Sequence, residues 1–392
     1  MRLLDVKGVL DREKVIQETG AQIKIFENLH DRSEKYAVPS HRWGKDEDEV
    51  NYDEMTQLMG MAEPARNEIR RRAGYEKIIK SCEQAKKDGY RWIWIDTCCI
   101  DKRSGAELSE AINSMYQWYQ ESQKCYAHLN GVCGTFFPRE QDLSKFAKAN
   151  GWPEWFSRGW TLQELIAPKQ VEFFNKDWVP IGDKGSLAET LEKITRIPIN
   201  VLRDGVNPRH FCVAQLMSWA ADRKTTRVED RAYSLLGLFG VDMPKFYGEG
   251  KKAFQRLQLE IIQRYYCDHS IFAWNSKRQF GWLGDVLADD PSYFRGCHDV
   301  EKVELNQFVD EIMNYPQNRL GIARSPGRGS LVCLRSRGHT FRQQLAVFPL
   351  TNVGIQICLP VIPHRDSESV FRAILACRDY YGNLITIDFK SL

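Results

Sequence analysis

The sequence predicts an α/β fold: a parallel sheet flanked by helices, followed by a small helical segment and a β-rich C-terminal part. Three observations carry this. Short runs rich in β-branched and aromatic residues alternate with helical periodicities at least four times before residue 200. After about Leu202 the strand-like runs stop. Beyond Asp268 a period of two takes over: Ile355, Ile357 and Leu359 alternate with Gln356 and Cys358, and Ile385, Ile387 and Phe389 with Thr386 and Asp388. The expected boundaries are an α/β domain over 1–205, a helical extension over 206–275 and a β-rich domain over 276–392.

Taken in order, residues 1–35 hold a short apolar start and an edge strand at Ile23-Lys24-Ile25-Phe26. Tyr36-Ala37-Val38-Pro39-Ser40 is a strand entering the turn His41-Arg42-Trp43-Gly44, and Pro39 argues for a sheet edge or strand end. Residues 45–72 are charged and weakly patterned, as a surface insertion would be. Ile78, Ile79, Cys82 and Ala85 repeat at helical spacing, with Gly89 placed as a C-terminal cap. Arg91-Trp92-Ile93-Trp94-Ile95-Asp96 follows as a buried strand with the exit Thr97-Cys98-Cys99-Ile100-Asp101-Lys102. Ser104 with Glu107 is a capping-box pattern, and Leu108, Ile112, Met115 and Tyr119 share one face of the helix behind it. Strands at 124–129 and 171–174 bracket a helix at 155–166. Ser186 with Glu189 repeats the capping-box pattern ahead of Leu191 and Ile194. Further on, Asn207-Pro208 starts a helix, 227–237 forms another, and Gly248-Glu249-Gly250 leads into one with Phe254, Leu257, Ile261 and Tyr265 on one face. Tyr381-Gly382-Asn383 supplies a hairpin turn before the last strand.

Composition bounds the function. With 392 residues, 43% of them hydrophobic, the chain can bury a large core. A net charge of +3 offers no global attraction to nucleic acid or an anionic membrane. The 11 cysteines are odd in number and scattered through apolar runs, which suits a reducing compartment. The N-terminus lacks a signal-peptide pattern and no segment is long and apolar enough to span a bilayer. A soluble, cytoplasmic protein is expected.

Spacing excludes several chemistries. There is no G-x-x-x-x-G-K-[ST], no G-x-S-x-G and no H-E-x-x-H, and Gly248-Glu249-Gly250-Lys251 imitates a phosphate loop only in part. Cys125, His128 and Cys133 lack the second tight pair that a zinc site needs, so no metal is expected.

The most informative stretch is Trp155-Phe156-Ser157-Arg158-Gly159-Trp160-Thr161-Leu162-Gln163-Glu164-Leu165-Ile166, closed by Pro168. As one helix it places Leu162, Leu165 and Ile166 toward a core, and Phe156, Trp160 and Glu164 in register on the other side. In a parallel sheet, ligands bind beyond the C-terminal strand ends, where Ser40–Gly44, 96–102 and the loop to Trp160 should gather. Glu164 is the sharpest candidate, against the plain alternative of a surface glutamate. Asp96 and Asp101 suit a cation or a ribose hydroxyl, and Asp96 equally suits a turn cap. Arg42 and Arg158 match phosphate oxygens, and Arg158 alternatively fixes a helix start through a carboxylate. Cys98 or Cys99, with His41 near, has the elements of a nucleophile, whereas packed thiols are the more usual outcome.

Ser40-His41-Arg42-Trp43-Gly44, Trp94-Ile95-Asp96-Thr97-Cys98-Cys99-Ile100-Asp101-Lys102 and Arg158-Gly159-Trp160-Thr161-Leu162-Gln163-Glu164-Leu165 resemble the three signature blocks of the fungal heterokaryon-incompatibility (HET) domain. The resemblance spans roughly residues 1–240, and 246–274 is similar to the segment that often trails such domains. It implies a role in non-self recognition between fused cells, ending in programmed cell death. Relatives often carry a nucleotide-binding oligomerisation module and WD repeats. This chain shows neither, so a sensor is expected to be a separate protein or the C-terminal region, and self-association is expected to make the site competent. The element order and the W-x-x-x-E-L helix are also similar to Toll/interleukin-receptor-like (TIR) domains, which implies a TIR/flavodoxin-like sheet. In catalytic members of that family the matching glutamate cleaves NAD. On this resemblance Glu164 is the catalytic residue and NAD a substrate rather than a bound cofactor, with Ser40, His41, Arg42, Trp43, Asp96, Cys98, Asp101, Arg158 and Trp160 around it. The competing expectation is a non-enzymatic domain that docks sensor or partner HET domains through Trp43 and Trp160.

Overall fold

The strand Tyr36–His41 is buried at every position, which a strand achieves only with neighbours on both edges and cover on both faces. The computed structural model describes residues 1–15, 23–28, 34–274, 286–313, 350–351, 354–355, 359–363 and 370–390. It divides into two compact units, Met1–Val206 and Asn207–Leu392.

In the first unit a seven-stranded sheet contains β1 (Arg2–Asp5), β2 (Phe26–Asn28), β3 (Tyr36–His41), β4 (Trp92–Ile93), β5 (Lys124–His128), β6 (Val171–Phe174) and β7 (Pro180–Asp183) in the order β2-β1-β4-β3-β5-β6-β7. β4, β3, β5 and β6 are mutually parallel. The expectation of a wholly parallel sheet needs correction: β1 runs antiparallel to β2 and β4, and β7 antiparallel to β6. The link from Phe174 to Pro180 is too short for a crossover, so β7 can only fold back.

The helices are α1 (Val6–Lys14), α2 (Tyr52–Gln57), α3 (Glu63–Arg70), α4 (Ala73–Lys87), α5 (Asp96–Cys99), α6 (Gly105–Glu121), α7 (Thr161–Ile166), α8 (Ala188–Thr195) and α9 (Ile199–Leu202). Chain direction reverses between the step from β3 to β4 and the steps from β4 to β5 to β6. With right-handed crossovers this puts α4 on one face and α6 and α7 on the other. The reversal opens a crevice beside the ends of β3 and β5, where His41 and His128 are register partners.

Several local expectations change. Pro39 sits in a central strand, not at an edge. β4 pairs only with Tyr36 and Ala37 of β3, so at Pro39 no neighbour asks for an amide donor. Its carbonyl instead accepts the Tyr119 hydroxyl at 3.1 Å. The strand expected over 91–96 shortens to β4, because Asp96 begins the single turn α5. Residues 45–72 are no mere surface insertion, since Val50, Met55, Leu58 and Ile69 are buried. Ser104 caps α6 by accepting from the Glu107 amide at 3.3 Å, but the Glu107 carboxylate turns to Arg2 and the Asp101 amide rather than closing the box. Ser186 caps nothing: it donates to Asp183, and α8 begins two residues later.

The second unit is built from helices Val213–Ala220, Asp230–Tyr233, Leu236–Phe239 and Lys252–Arg264, then Leu305–Met313. Glu229 ties the loop before the long helix by accepting from the Gly248 and Gly250 amides at 2.8 and 2.9 Å. Strands Val361–Pro363, Val370–Arg378 and Leu384–Lys390 pair antiparallel around the turn at Tyr381-Gly382-Asn383. Ile385 and Ile387 are buried where the alternation placed them, and Phe308, Ile312, Ile374 and Ala376 share one apolar cluster. Of the alternation at 355–359, Gln356, Ile357 and Cys358 lie outside the described residues.

Candidate functional site

The stretch 155–166 is not one helix. Glu154–Ser157 forms a 3-10 turn, Arg158 is extended at φ −84° and ψ 141°, and α7 starts only at Thr161. The Thr161 hydroxyl explains the break: it donates to the carbonyls of Trp155 and Arg158, at 2.5 and 3.0 Å, and holds the chain open between them. Phe156, Trp160 and Glu164 therefore form no common face. Phe156 joins Phe137, Trp155 and Phe173 in an aromatic cluster.

Trp155 takes the place expected of Trp160. Its indole N–H donates to Ser40 Oγ at 2.8 Å, and the Ser40 hydroxyl in turn donates to Glu164 Oε2. Ser40 is wholly buried and Glu164 is 5% exposed. Burial and then the Glu164 charge raise the Tyr119 hydroxyl and the Cys125 thiol well above their usual ranges. Asp96 adds to the effect on Tyr119, so both carboxylates lie near that ring. Trp160 stands half-buried at the start of α7, its carbonyl accepting from the Glu164 amide at 3.5 Å. The far end of α7 is held by Lys184, whose ammonium donates to the Leu165 and Pro168 carbonyls. Burial pulls that ammonium down to about 8.

Trp43 and Asp96 form a second group. The Trp43 indole donates to Asp96 Oδ2 at 2.9 Å, and Lys102 Nζ lies 3.7 Å from the centre of the Trp43 ring. Asp96 thus partners an indole rather than capping its turn.

A third group surrounds Glu49, which the sequence reading missed. Its carboxylate accepts from Gly44 N at 2.6 Å and Lys77 Nζ at 2.6 Å, and lies 3.7 Å from His41 Nε2. Burial pushes this carboxyl up, but His41 and Lys77 outweigh it and hold it at about 2. Helix α4 comes so close that a Cβ on Gly74 would lie 2.7 Å from Glu49 Cα. On the neighbouring strand, burial lowers His128 to about 4, and its ring stacks at 4.8 Å on Trp178. The signal that could have exposed Glu49 is Val50 beside it, apolar at the end of an acidic run.

The remaining candidates scatter. Arg42 pairs with Glu154. Arg158 lies in the extended link before α7. Asp101 is clamped by Arg103 at 2.9 Å, which lowers its carboxyl. Cys98 is fully buried, and burial followed by Cys99 raises its thiol well above the usual range. His41 faces Glu49, so the elements of a cysteine nucleophile are not assembled. Among the described residues no group of three His, Cys, Asp or Glu side chains could hold a metal, and no helix is long and apolar enough to cross a membrane.

Residues 36–148 match the family described as Heterokaryon incompatibility protein (HET), a span that ends before Trp155 and Glu164. Over 307 residues the chain is 39% identical to Vegetative incompatibility protein HET-E-1 of Podospora anserina, covering 76% of this chain and 21% of that protein. The chain thus spans about a fifth of that curated relative's length. No solved structure gives a significant match. These similarities make the chain a fungal HET-domain protein of the heterokaryon-incompatibility family.

Proposed function

We propose that this chain is an effector of non-self recognition that triggers regulated cell death, and that it acts by cleaving NAD at Glu164. The observation that carries the chemistry is the carboxylate of Glu164, held by the Ser40 hydroxyl and backed by Trp155 where the parallel strands end. The order β4-β3-β5-β6 supports the likeness to flavodoxin-like and TIR sheets, whose ligands occupy this rim.

Nicotinamide leaves NAD as a neutral ring, taking the electron pair of the glycosidic C–N bond, so little acid catalysis is needed. Positive charge develops on the ribose, and a fixed carboxylate in a water-poor site stabilises it. A ribose hydroxyl would replace that of Ser40 as donor to Glu164, and water would then add to the ribose and release a proton. Trp43 or Trp160 is the proposed stacking surface, and Arg42 or Arg158 the pyrophosphate ligand.

The test is nicotinamide release by purified protein under crowding, where self-association is favoured. Glu164→Gln should be at least about 100-fold slower than wild type, the usual effect of losing one charge-stabilising group. Equal release by a folded Glu164→Gln removes Glu164 from the mechanism.

The second reading, a docking domain, is favoured by the half-exposed indole of Trp43. It calls for Trp43→Ala to abolish self-association or capture of a separate sensor while nicotinamide release is absent in every variant.

A further inference from the structure

We propose that the first unit carries a second ligand site, for a small amphipathic carboxylate, in a cavity between α1, β2 and α2. The cavity has a volume of about 730 Å³ and is lined by Arg12, Phe26, Tyr52, Thr56, Met59 and Met61 among others. That volume lies within the usual small-ligand range of roughly 300–1,000 Å³.

Arg12 is the reason to expect an anion. It is 1% exposed, yet none of its hydrogen-bond partners is a carboxylate: Nη1 donates to the Met55 carbonyl at 2.7 Å, Nη2 to Met55 Sδ at 3.0 Å, and the Tyr75 hydroxyl is a further partner. Its Nε has no partner. The carboxylate beside it in the chain, Glu13, is already engaged by Arg70 Nη2 at 2.5 Å and the Tyr75 hydroxyl at 2.6 Å. A buried guanidinium that shares its one nearby carboxylate, Glu13, with Arg70 is costly, and an entering carboxylate supplies the missing charge. Lys24, the other cation of the lining, points its ammonium to Glu27 at the surface.

The rest of the ligand is set by the walls. Phe26, Tyr52, Met59 and Met61 offer apolar surface, and thioether side chains adapt to an unbranched apolar body. A small inorganic anion would leave that surface facing a void. This site is separate from the Glu164 cluster and does not depend on NAD cleavage.

Calorimetric titration of the whole chain with decanoate tests the site, with acetate as the head group alone and decyltrimethylammonium as the same chain with opposite charge. Decanoate should bind and the other two should not. Arg12→Lys should weaken decanoate by about tenfold, because a point charge replaces the planar fork. Gly60→Phe is the structural control: Gly60 lines the cavity and an added Cβ meets nothing within 4 Å. It should abolish binding and leave the melting temperature unchanged. Absence of decanoate binding to wild type, equal binding of the cationic amphiphile, or binding that survives Gly60→Phe would each overturn the proposal.

Discussion

At the end of β3 the chain passes within three residues from a sealed cluster, Ser40 with Glu164 and Trp155, to an open one, Trp43 with Asp96 and Lys102. Both pair an indole N–H with an oxygen and set a charged group beside it. In the first, Ser40, Glu164 and Trp155 are 0%, 5% and 2% exposed. In the second, Trp43 and Asp96 are half-buried and Lys102 is exposed. The same chemistry therefore has different weight. Where water is excluded, a lost partner leaves its mate with the full desolvation cost, whereas at the open cluster water substitutes. The sealed cluster holds its charge in a fixed geometry, whereas the open one leaves its polar groups in contact with water.

Mutations should separate the two by size. Trp155→Ala removes an indole packed against Phe156 and Phe173 and the N–H donor to Ser40, and should cost about 3–5 kcal/mol by urea unfolding. Glu49 comes next, and its effect depends on pH. Its folded carboxyl, at about 2, lies below the unfolded value of 4.5, so its stabilisation is complete above that value and is lost as pH falls toward 2. The gap between wild type and Glu49→Gln should be on the order of 2–3 kcal/mol at neutral pH and close in acid. A gap that persists undiminished at low pH would show that Glu49 is not held as an ionised carboxylate.

Ser40→Ala leaves both the Trp155 N–H and one Glu164 oxygen without the hydroxyl, and should cost about 1–3 kcal/mol in thermal unfolding. Trp43→Ala, at the open cluster, should cost no more than about 1 kcal/mol. If Trp43→Ala destabilised the chain as much as Trp155→Ala, the contrast between sealed and open clusters would fail.

Much of this was legible. The alternation of short β-branched runs with helical spacing located all four parallel strands, and the strand exits placed Ser40, Trp43 and Asp96 on one rim. Glu164 was found by its position after an aromatic, although the aromatic that reaches its partner is Trp155. Periodicity alone could not show the break at Arg158, because it depends on where the Thr161 hydroxyl finds acceptors. Glu49 was hidden in Asp46-Glu47-Asp48-Glu49, a run that reads as solvated until α4 closes over its last member. The strands β1 and β7 were missed, and the edge strand expected at 23–26 falls at Phe26–Asn28 as antiparallel β2, for a related reason: strand direction at a sheet edge is set by connection length and pairing, not by composition.

By itself the amino-acid order determined which segments are strands or helices and which short blocks carry polar and aromatic groups, because hydrophobic period and turn chemistry act over a few residues. Tertiary structure alone decided which of those groups meet. Residues 40, 155 and 164 come together only through crossovers between parallel strands, and whether a carboxylate there is sealed or open depends on what packs above it. Burial is a property of the assembled layers, and it sets the strength of every hydrogen bond at the rim.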